Sequence, residues 1–439
     1  MGIPTTPVVT SMFEENGKAA AYKRGMPLQR FTFIPHPIAF KPTSLLRDYV
    51  NGKDPVSGKP LMQEIVEALT KPLSAEEKKT GTLDRTPPRL VKPDTEENLQ
   101  RLFLKNGWTD GLPIVLPTEK RVADMLKGTS HSPNEIVAKM SPGSAHEAWE
   151  YTVEKVAVNA VMAGARPEYF PVILAIASTG LPSLFASTTS FARMVVVNGP
   201  IRDEIKMNSG MGAMSPLNQA NATIGRAWTL LSMNLSGAGK LGDTYLGSQG
   251  NSLTYSNVCI AENEARNPWK PFHVEKGFKP EASVVSIFHG WGIAHGVGVR
   301  ANKGYHNQIR ELLKVFNVYT SPTSAAGALV LMDPLIAQDL KEAQGFETKE
   351  KLEQWLYENT LVTYNGFWDD ELVISFTVPL AKQGVEPFAS RFKLPKDALM
   401  PRYPSPKGIS IVVVGGEANA FFQAGDFRYM RSASVDAWR

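Results

Sequence analysis

The sequence is poor in sulfhydryls. Its 439 residues include one cysteine, Cys259, so no intramolecular disulfide, C-x-x-C redox pair or cysteine-rich zinc site can form within the chain. Long apolar runs are scarce too: the greasiest, 170–176, soon meets Pro182 and is too brief to span a bilayer. Charge of one sign is not in excess. With 47 Lys+Arg against 43 Asp+Glu the formal net charge is +4, and no five like charges run together, which argues against nucleic acid or an anionic membrane as the main partner. No apolar segment follows a basic start at the N-terminus, so no secretory signal is expected and the cytoplasm is the expected location. The strong local signatures G-x-x-x-x-G-K-[ST], G-x-S-x-G and H-E-x-x-H do not occur. Gly237, Gly239 and Gly242 do spell G-x-G-x-x-G, but they follow a predicted helix rather than a strand, so the motif reads as a loop and not as a dinucleotide site.

What is present is an ordinary globular composition, 43% hydrophobic, 21% charged and 9% aromatic, in a chain long enough for more than one core. Residues 1–30 read as a tail. Residues 31–92 read as a separate unit, with an extended, proline-punctuated FTFIPHPIAFKP, two short helices (SLLRDYV and LMQEIVEALTKPL) and a charged, proline-rich linker over 74–93. The core is expected over 93–439, in one or two subdomains.

Within it, Asp94 and Glu97 are spaced to cap a helix carrying Leu99, Leu102 and Phe103. A helix over 151–164 would bury Val153, Val156, Ala157, Ala160 and Val161, with Glu154, Lys155 and Asn159 turned away. Pro167 opens the next helix and Gly180 stops it. Strands are expected at 193–197, 283–289, 328–332, 372–376 and 409–414. Helices are expected over 218–234, from Asp333-Pro334 to Gly345, and over 349–360. Strands and helices alternate, which predicts an α/β fold: a mixed sheet core flanked by helices, with a small N-terminal extended and helical docking unit.

Chemistry-bearing residues concentrate in 255–278, YSNVCIAENEARNPWKPFHVEKGF, where Cys259, Glu262, Asn263, Glu264 and His273 stand among aromatics. On a strand Glu262 and Glu264 would face the same way and could work as general acid and base, with Asn263 on the other side. The alternative is a solvated turn in which they pair with Arg266 or Lys270. His273 is either a proton-transfer group or a structural histidine. His289 and His295, as H-x5-H without a neighbouring cysteine or carboxylate, are too weak a ligand pattern to predict a metal.

The loop over 198–212, with Asn198, Gly199, Gly210 and Gly212, leaves a strand and enters a helix. Such a loop either presents backbone N–H groups to an anion or is a structural turn. Arg193 or Arg202 could pair with a carboxylate there. Gly415 and Gly416 follow an apolar strand, and the two glycine-rich loops are expected to converge on one cleft.

Four blocks, NGWTDGLPIVLPTEKRV (106–122), TVEKVAVNAVMAGARPEYFPVILA (152–175), VVNGPIRDEIKMNSGMGAMSPLNQANATIGRA (196–227) and CIAENEARNPWKPFHVEKGF (259–278), resemble the signature blocks of a bacterial family of large proteins. Its members occur beside, or fused to, small proteins with a UGSC or CGSC (selenocysteine or cysteine) motif. The resemblance spans about 31–439. FIPHPIAFKP and the helix ending EALTKPL resemble the segment following the selenocysteine domain in such proteins, and more distantly the tail of glycine-reductase-type selenoproteins. This chain has neither a UGSC nor a CGSC motif.

The resemblance therefore implies that a thiol- or selenol-bearing domain is a separate small polypeptide, onto which residues 1–92 dock in a hetero-oligomer. Three functions remain open. The chain can be the large subunit of a two-component enzyme acting on a small carbonyl- or carboxylate-bearing molecule, by reductive or lytic cleavage or by addition. It can be a self-sufficient, cofactor-independent lyase, hydratase or isomerase using Glu262, Glu264 and His273, or Cys259 as nucleophile. It can also be a non-catalytic scaffold for the small partner. No cofactor is predicted.

Overall fold

The valine-rich, alternating segments form two four-stranded sheets that stack face to face. The computed structural model describes residues 4–23, 25–38, 41–81, 88–140, 150–184, 191–239, 241–242, 245, 247, 249–255, 257–297, 304–316 and 327–439. The N-terminal part holds strand β1 (Val8–Thr10), helix α1 (Glu14–Lys23), strand β2 (Thr32–Ile34), α2 (Thr43–Asn51) and α3 (Leu61–Thr70). After α4 (Glu96–Lys105), α5 (Glu119–Leu126), α6 (Val153–Met162) and α7 (Phe170–Ser178), the main strands begin. They are β3 (Ala192–Asn198), β4 (Val258–Ala261), β5 (Val284–Gly290), β6 (Ile293–Val297), β7 (Ala328–Met332), β8 (Ile409–Val413), β9 (Phe421–Gly425) and β10 (Arg428–Ser434). Helices α8 (Gln219–Ser236), α9 (Gly304–Leu313), α10 (Pro334–Glu342) and α11 (Lys349–Asn359) fall between them.

One sheet has the order β10-β5-β3-β4 and the other β8-β7-β9-β6. Each is mixed: β3 runs parallel to β4 and β8 parallel to β7, while the remaining neighbours are antiparallel. Side-chain alternation along the strands assigns three apolar layers. On β3, Val195 and Val197 pack with α6, α7 and α8, whereas Met194 and Val196 face the second sheet. On β7, Leu329 and Leu331 face inward to meet them, and Ala328, Val330 and Met332 pack under α9, α10 and α11. The result is four layers, helix, sheet, sheet, helix, with Phe272, Phe288 and Phe427 between the sheets. A satellite cluster around Phe367, Trp368 and Phe388 covers a helical insertion. Among the described residues no helix is long and apolar enough to cross a membrane.

Several expectations are corrected. The expected tail over 1–30 contains β1, paired in parallel with β2, and α1. Its helix escaped notice because EENGKAAAYK has almost no apolar stripe; Ala21 is the buried contact, and a Cβ at Gly17 would lie 3.1 Å from the Phe31 ring. Residues 82–87 of the expected linker lie outside the described residues.

The cap of α4 is Thr95, whose hydroxyl accepts from the Asn98 amide at 3.3 Å, while Asp94 binds the Thr95 amide and the Asn98 side chain. Asn159 on α6 is buried, not turned away: its side chain donates to the Lys155 carbonyl at 2.9 Å and accepts from Asn234 at 2.8 Å. The expected strand over 372–376 is a π-helical turn, Val373–Thr377. Its β-branched run suggested a strand, but Asp370 caps it through the Leu372 and Val373 amides, and Ile374 and Phe376 point outward.

Candidate functional site

Strand β4 ends at Ala261, and the next two residues tie the sheets together. The Glu262 amide donates to the Val197 carbonyl at 3.1 Å, within its own sheet, and the Asn263 amide donates to the Val413 carbonyl of β8 at 2.8 Å. The Asn263 side chain also donates to the Gly415 carbonyl at 2.9 Å. The carboxyl ends of β3, β4 and β8 therefore meet at one place, where open α/β sheets commonly hold their ligands. The glycine-rich loops do converge: the Gly415 amide donates to the Ser209 carbonyl at 2.9 Å, and a Cβ on Gly416 would lie 2.8 Å from the Met211 backbone nitrogen.

Two of the loop amides, those of Gly199 and Gly210, are already taken by this chain's own side chains. Gly210 donates to Asn208 Oδ1 at 3.0 Å, Gly212 turns its carbonyl to Ser215, and Gly199 donates to Glu264 Oε1 at 2.8 Å. The anion held by Gly199 is this chain's own carboxylate.

Glu262 and Glu264 do converge, though not by strand alternation, because neither lies on β4. The Asn198 amide group at the end of β3 donates to both, at 2.6 Å to Glu262 Oε2 and 2.9 Å to Glu264 Oε1. Glu262 is fully buried. It also accepts from the Phe272 amide at 2.7 Å and from Asn267 at 2.8 Å, and meets Lys349 Nζ at 3.2 Å. Four donors meet its two oxygens, so Glu262 anchors the strand ends.

Glu264 keeps 14% of its side chain exposed and pairs with Arg202 at 3.1 Å, not with Arg266 or Lys270. Arg202 is itself engaged, donating to the Gly199 carbonyl at 3.0 Å and the Glu262 carbonyl at 2.8 Å, so it clamps the strand ends.

His273 is buried, with Nε2 3.3 Å from the Pro280 carbonyl and Nδ1 3.9 Å from Glu264 Oε1. Since Nε2–H serves the carbonyl, a neutral ring turns the lone pair of Nδ1 toward the carboxylate, and two acceptors face each other. A donor bridging the two would satisfy both. Asn198 Oδ1 and His273 Nδ1 are both buried without a hydrogen-bond partner among the described residues. Such orphans mark a place where a proton donor belongs.

Two groups invisible to the motif search extend the site. Lys349, the first residue of α11, is buried and bridges Glu262 and Glu275, the latter at 2.9 Å. Burial lowers its proton affinity, but the two carboxylates outweigh this and raise it above the ordinary lysine value. Burial pushes Glu275 up to about 7, against the pull of Lys349, and pushes Glu353 to about 7 as well, against Lys276 and Lys349.

Glu275 and Lys349 line a cavity of about 390 Å³, with Trp269, Lys270, Lys341 and Thr348 in its walls. The spacing Lys349, Leu352, Leu356 follows the helical period and places the lysine on the buried face; that was the available signal.

Two expected site residues are elsewhere. Cys259 faces the helix layer of β4, on the opposite side from Ile260, and burial pushes its thiol far above the ordinary range. It packs as a small core residue, in a setting that disfavours the thiolate. Arg193 lies at the other end of β3, donating to the Pro182 carbonyl and, at 3.4 Å, to His289 Nδ1. Burial, with Arg428 and Arg431 nearby, pushes it down to about 9. Burial, Arg193 and Arg428 push His289 down to about 2. His289 and His295 sit on different sheets. Among the described residues no group of three or more His, Cys, Asp or Glu side chains is placed to hold a metal ion.

No curated protein and no solved structure matches the chain. One family model, that of the UGSC family, matches residues 1–57. That segment takes in β1, α1, β2 and α2, contains no cysteine and stops short of the strand-end site. Residues 1–57 thus relate this chain to the UGSC family.

Proposed function

We propose that the chain is the large subunit of a two-component enzyme, which binds a small carbonyl- or carboxylate-bearing molecule and handles its protons. A small partner brings the thiolate or selenolate. One observation carries the reading: the single sulfhydryl, Cys259, is buried on the wrong face of its strand, while a cavity is lined by one carboxyl, Glu275, that burial keeps protonatable near neutrality. Sulfur chemistry in such an assembly has to come from another polypeptide, onto which residues 1–92 would dock; the UGSC family match at residues 1–57 supports this reading.

In the cavity, Lys270 and Lys341 would orient the substrate oxygen, and Glu275 would carry the mobile proton. The simplest step is addition. The partner's sulfur or selenium bonds to the carbonyl carbon, the π pair moves to oxygen, and Glu275 protonates that oxygen; the reverse step cleaves the adduct.

The test is to purify the chain alone and with a small UGSC- or CGSC-motif protein, then follow a panel of carbonyl and carboxylate compounds by NMR. Turnover is expected only from the co-purified complex, and to fall at least a hundredfold with Glu275→Gln. A monomeric chain that is fully active alone defeats the proposal.

That last outcome would favour a second reading, a self-sufficient lyase, hydratase or isomerase. It is supported by Glu275 and Glu353, both protonatable near neutrality without any thiol. In that case Glu275→Gln stops the isolated chain and Cys259→Ala leaves it active.

A further inference from the structure

A second cavity, of about 470 Å³, opens beside the amino end of β4, the end away from Glu262. Its walls come from the loop after α4, from α8 and from the segment before β4, and are mostly apolar: Leu112, Leu184, Met233, Leu241 and Tyr255. Leu112, Leu241 and Tyr255 are exposed at 52%, 85% and 87%, so much apolar surface around one concavity is left in water. Among the described lining residues the one charged side chain is Asp110, and it is held bidentately by Arg226 at 2.9 Å.

Of the hydroxyls in the lining, those of Thr229 and Tyr245 are placed to make the polar contacts. Thr229 accepts from the Asn257 side chain at 2.7 Å, which leaves its own proton to donate. Tyr245 lines the same wall, and its hydroxyl is buried without a partner among the described residues. Asn257, which sets the Thr229 hydroxyl, is buried with an unpartnered Oδ1 and a left-handed backbone, φ 43°. Non-glycine residues held in that region are strained and concentrate at ligand sites.

From this geometry we infer that the cavity is a binding site for a small uncharged molecule with an aromatic or branched apolar body and one hydroxyl or amide group. The apolar walls take the body. Thr229 and Tyr245 take the polar group, and the one charged side chain among the described lining residues, Asp110, is already paired with Arg226. The site is separate from the strand-end carboxylates and does not depend on their proposed role.

The probe is p-cresol, titrated into the full chain with ligand-observed NMR and thermal unfolding as readouts. Saturable binding with a rise in Tm is expected. Met233→Trp, which fills the cavity, and Leu241→Asp, which charges its exposed rim without touching the core, should each weaken binding at least tenfold. Thr229→Val should weaken p-cresol more than toluene. The inference is overturned if p-cresol does not saturate, if a folded Leu241→Asp chain binds it as well as the parent, or if 4-hydroxybenzoate binds more tightly than p-cresol.

Discussion

Lys349 holds two buried carboxylates in place with a single ammonium group. Its Nζ lies 3.2 Å from Glu262 and 2.9 Å from Glu275, with 1% of its side chain exposed. Removing a buried charge leaves its partners uncompensated, and this costs more than the pair itself contributes. Lys349→Met should therefore lower the unfolding free energy by roughly 3–5 kcal/mol, as read from urea denaturation. Adding Glu262→Gln should restore part of that loss, because the orphaned charge is then gone. If the single and double variants are equally unstable, Lys349 contributes by packing and not by charge. At this scale Asn198 and Asn267 matter as much as the acids, since their amides fix which oxygen faces which donor.

Helix α11 presents Lys349, Leu352, Glu353 and Leu356 on its buried face, and the one-turn helix Phe272–Glu275 brings Glu275 against Lys349. Glu275 and Glu353 keep their protons up to about pH 7 in the folded chain, whereas an unfolded glutamate releases its proton near 4.5. Between those two values the folded state binds more protons than the unfolded one, so these groups make stability fall as pH rises from about 4.5 to about 7. Denaturation at pH 5.5 and pH 8.0 should show this loss, and Glu275→Gln should shrink the difference. An unchanged difference would mean that Glu275 is ionised throughout.

The elements also show what could be read without coordinates. Strands β3, β5, β7 and β8 were legible because valine and isoleucine runs of strand length stand between glycine and asparagine, and α10 because Asp333-Pro334 marks its start. The convergence of Glu262 with Glu264 was half legible. Their spacing was right, but the reason was wrong: Asn198, distant in sequence, gathers them after the strand has ended. Helix α1 and the turn Val373–Thr377 were misread because local composition contradicted the tertiary setting. Which face of β4 Cys259 occupies depends on register, which one sequence does not reveal.

Across the whole molecule the two sheets share a layer of buried aromatic and aliphatic side chains and are further tied by Asn263. The N-terminal elements differ: β1, α1, β2, α2 and α3 pack on one another and make no substantial contact with the four-layer core among the described elements. Many of their large apolar side chains are exposed, Met62 and Val66 at 51% and 53% among them. Two units with so little shared surface should unfold separately. Calorimetry of the full chain should resolve a small, low-temperature transition from the N-terminal unit and a large one from the core, and a bound small partner should raise the first more than the second. One cooperative transition would show that the units are coupled.

The burial of Cys259 has a consequence for how such an assembly ages. Peroxide or disulfide reagents have no accessible sulfhydryl to attack on the large chain, since its only one sits at 5% exposure in the helix-facing core. If the reactive sulfur or selenium belongs to a small partner, oxidative wear falls on the component that is quickest to remake. The 439-residue scaffold, with its buried charges already assembled, can then be recharged by exchanging one subunit.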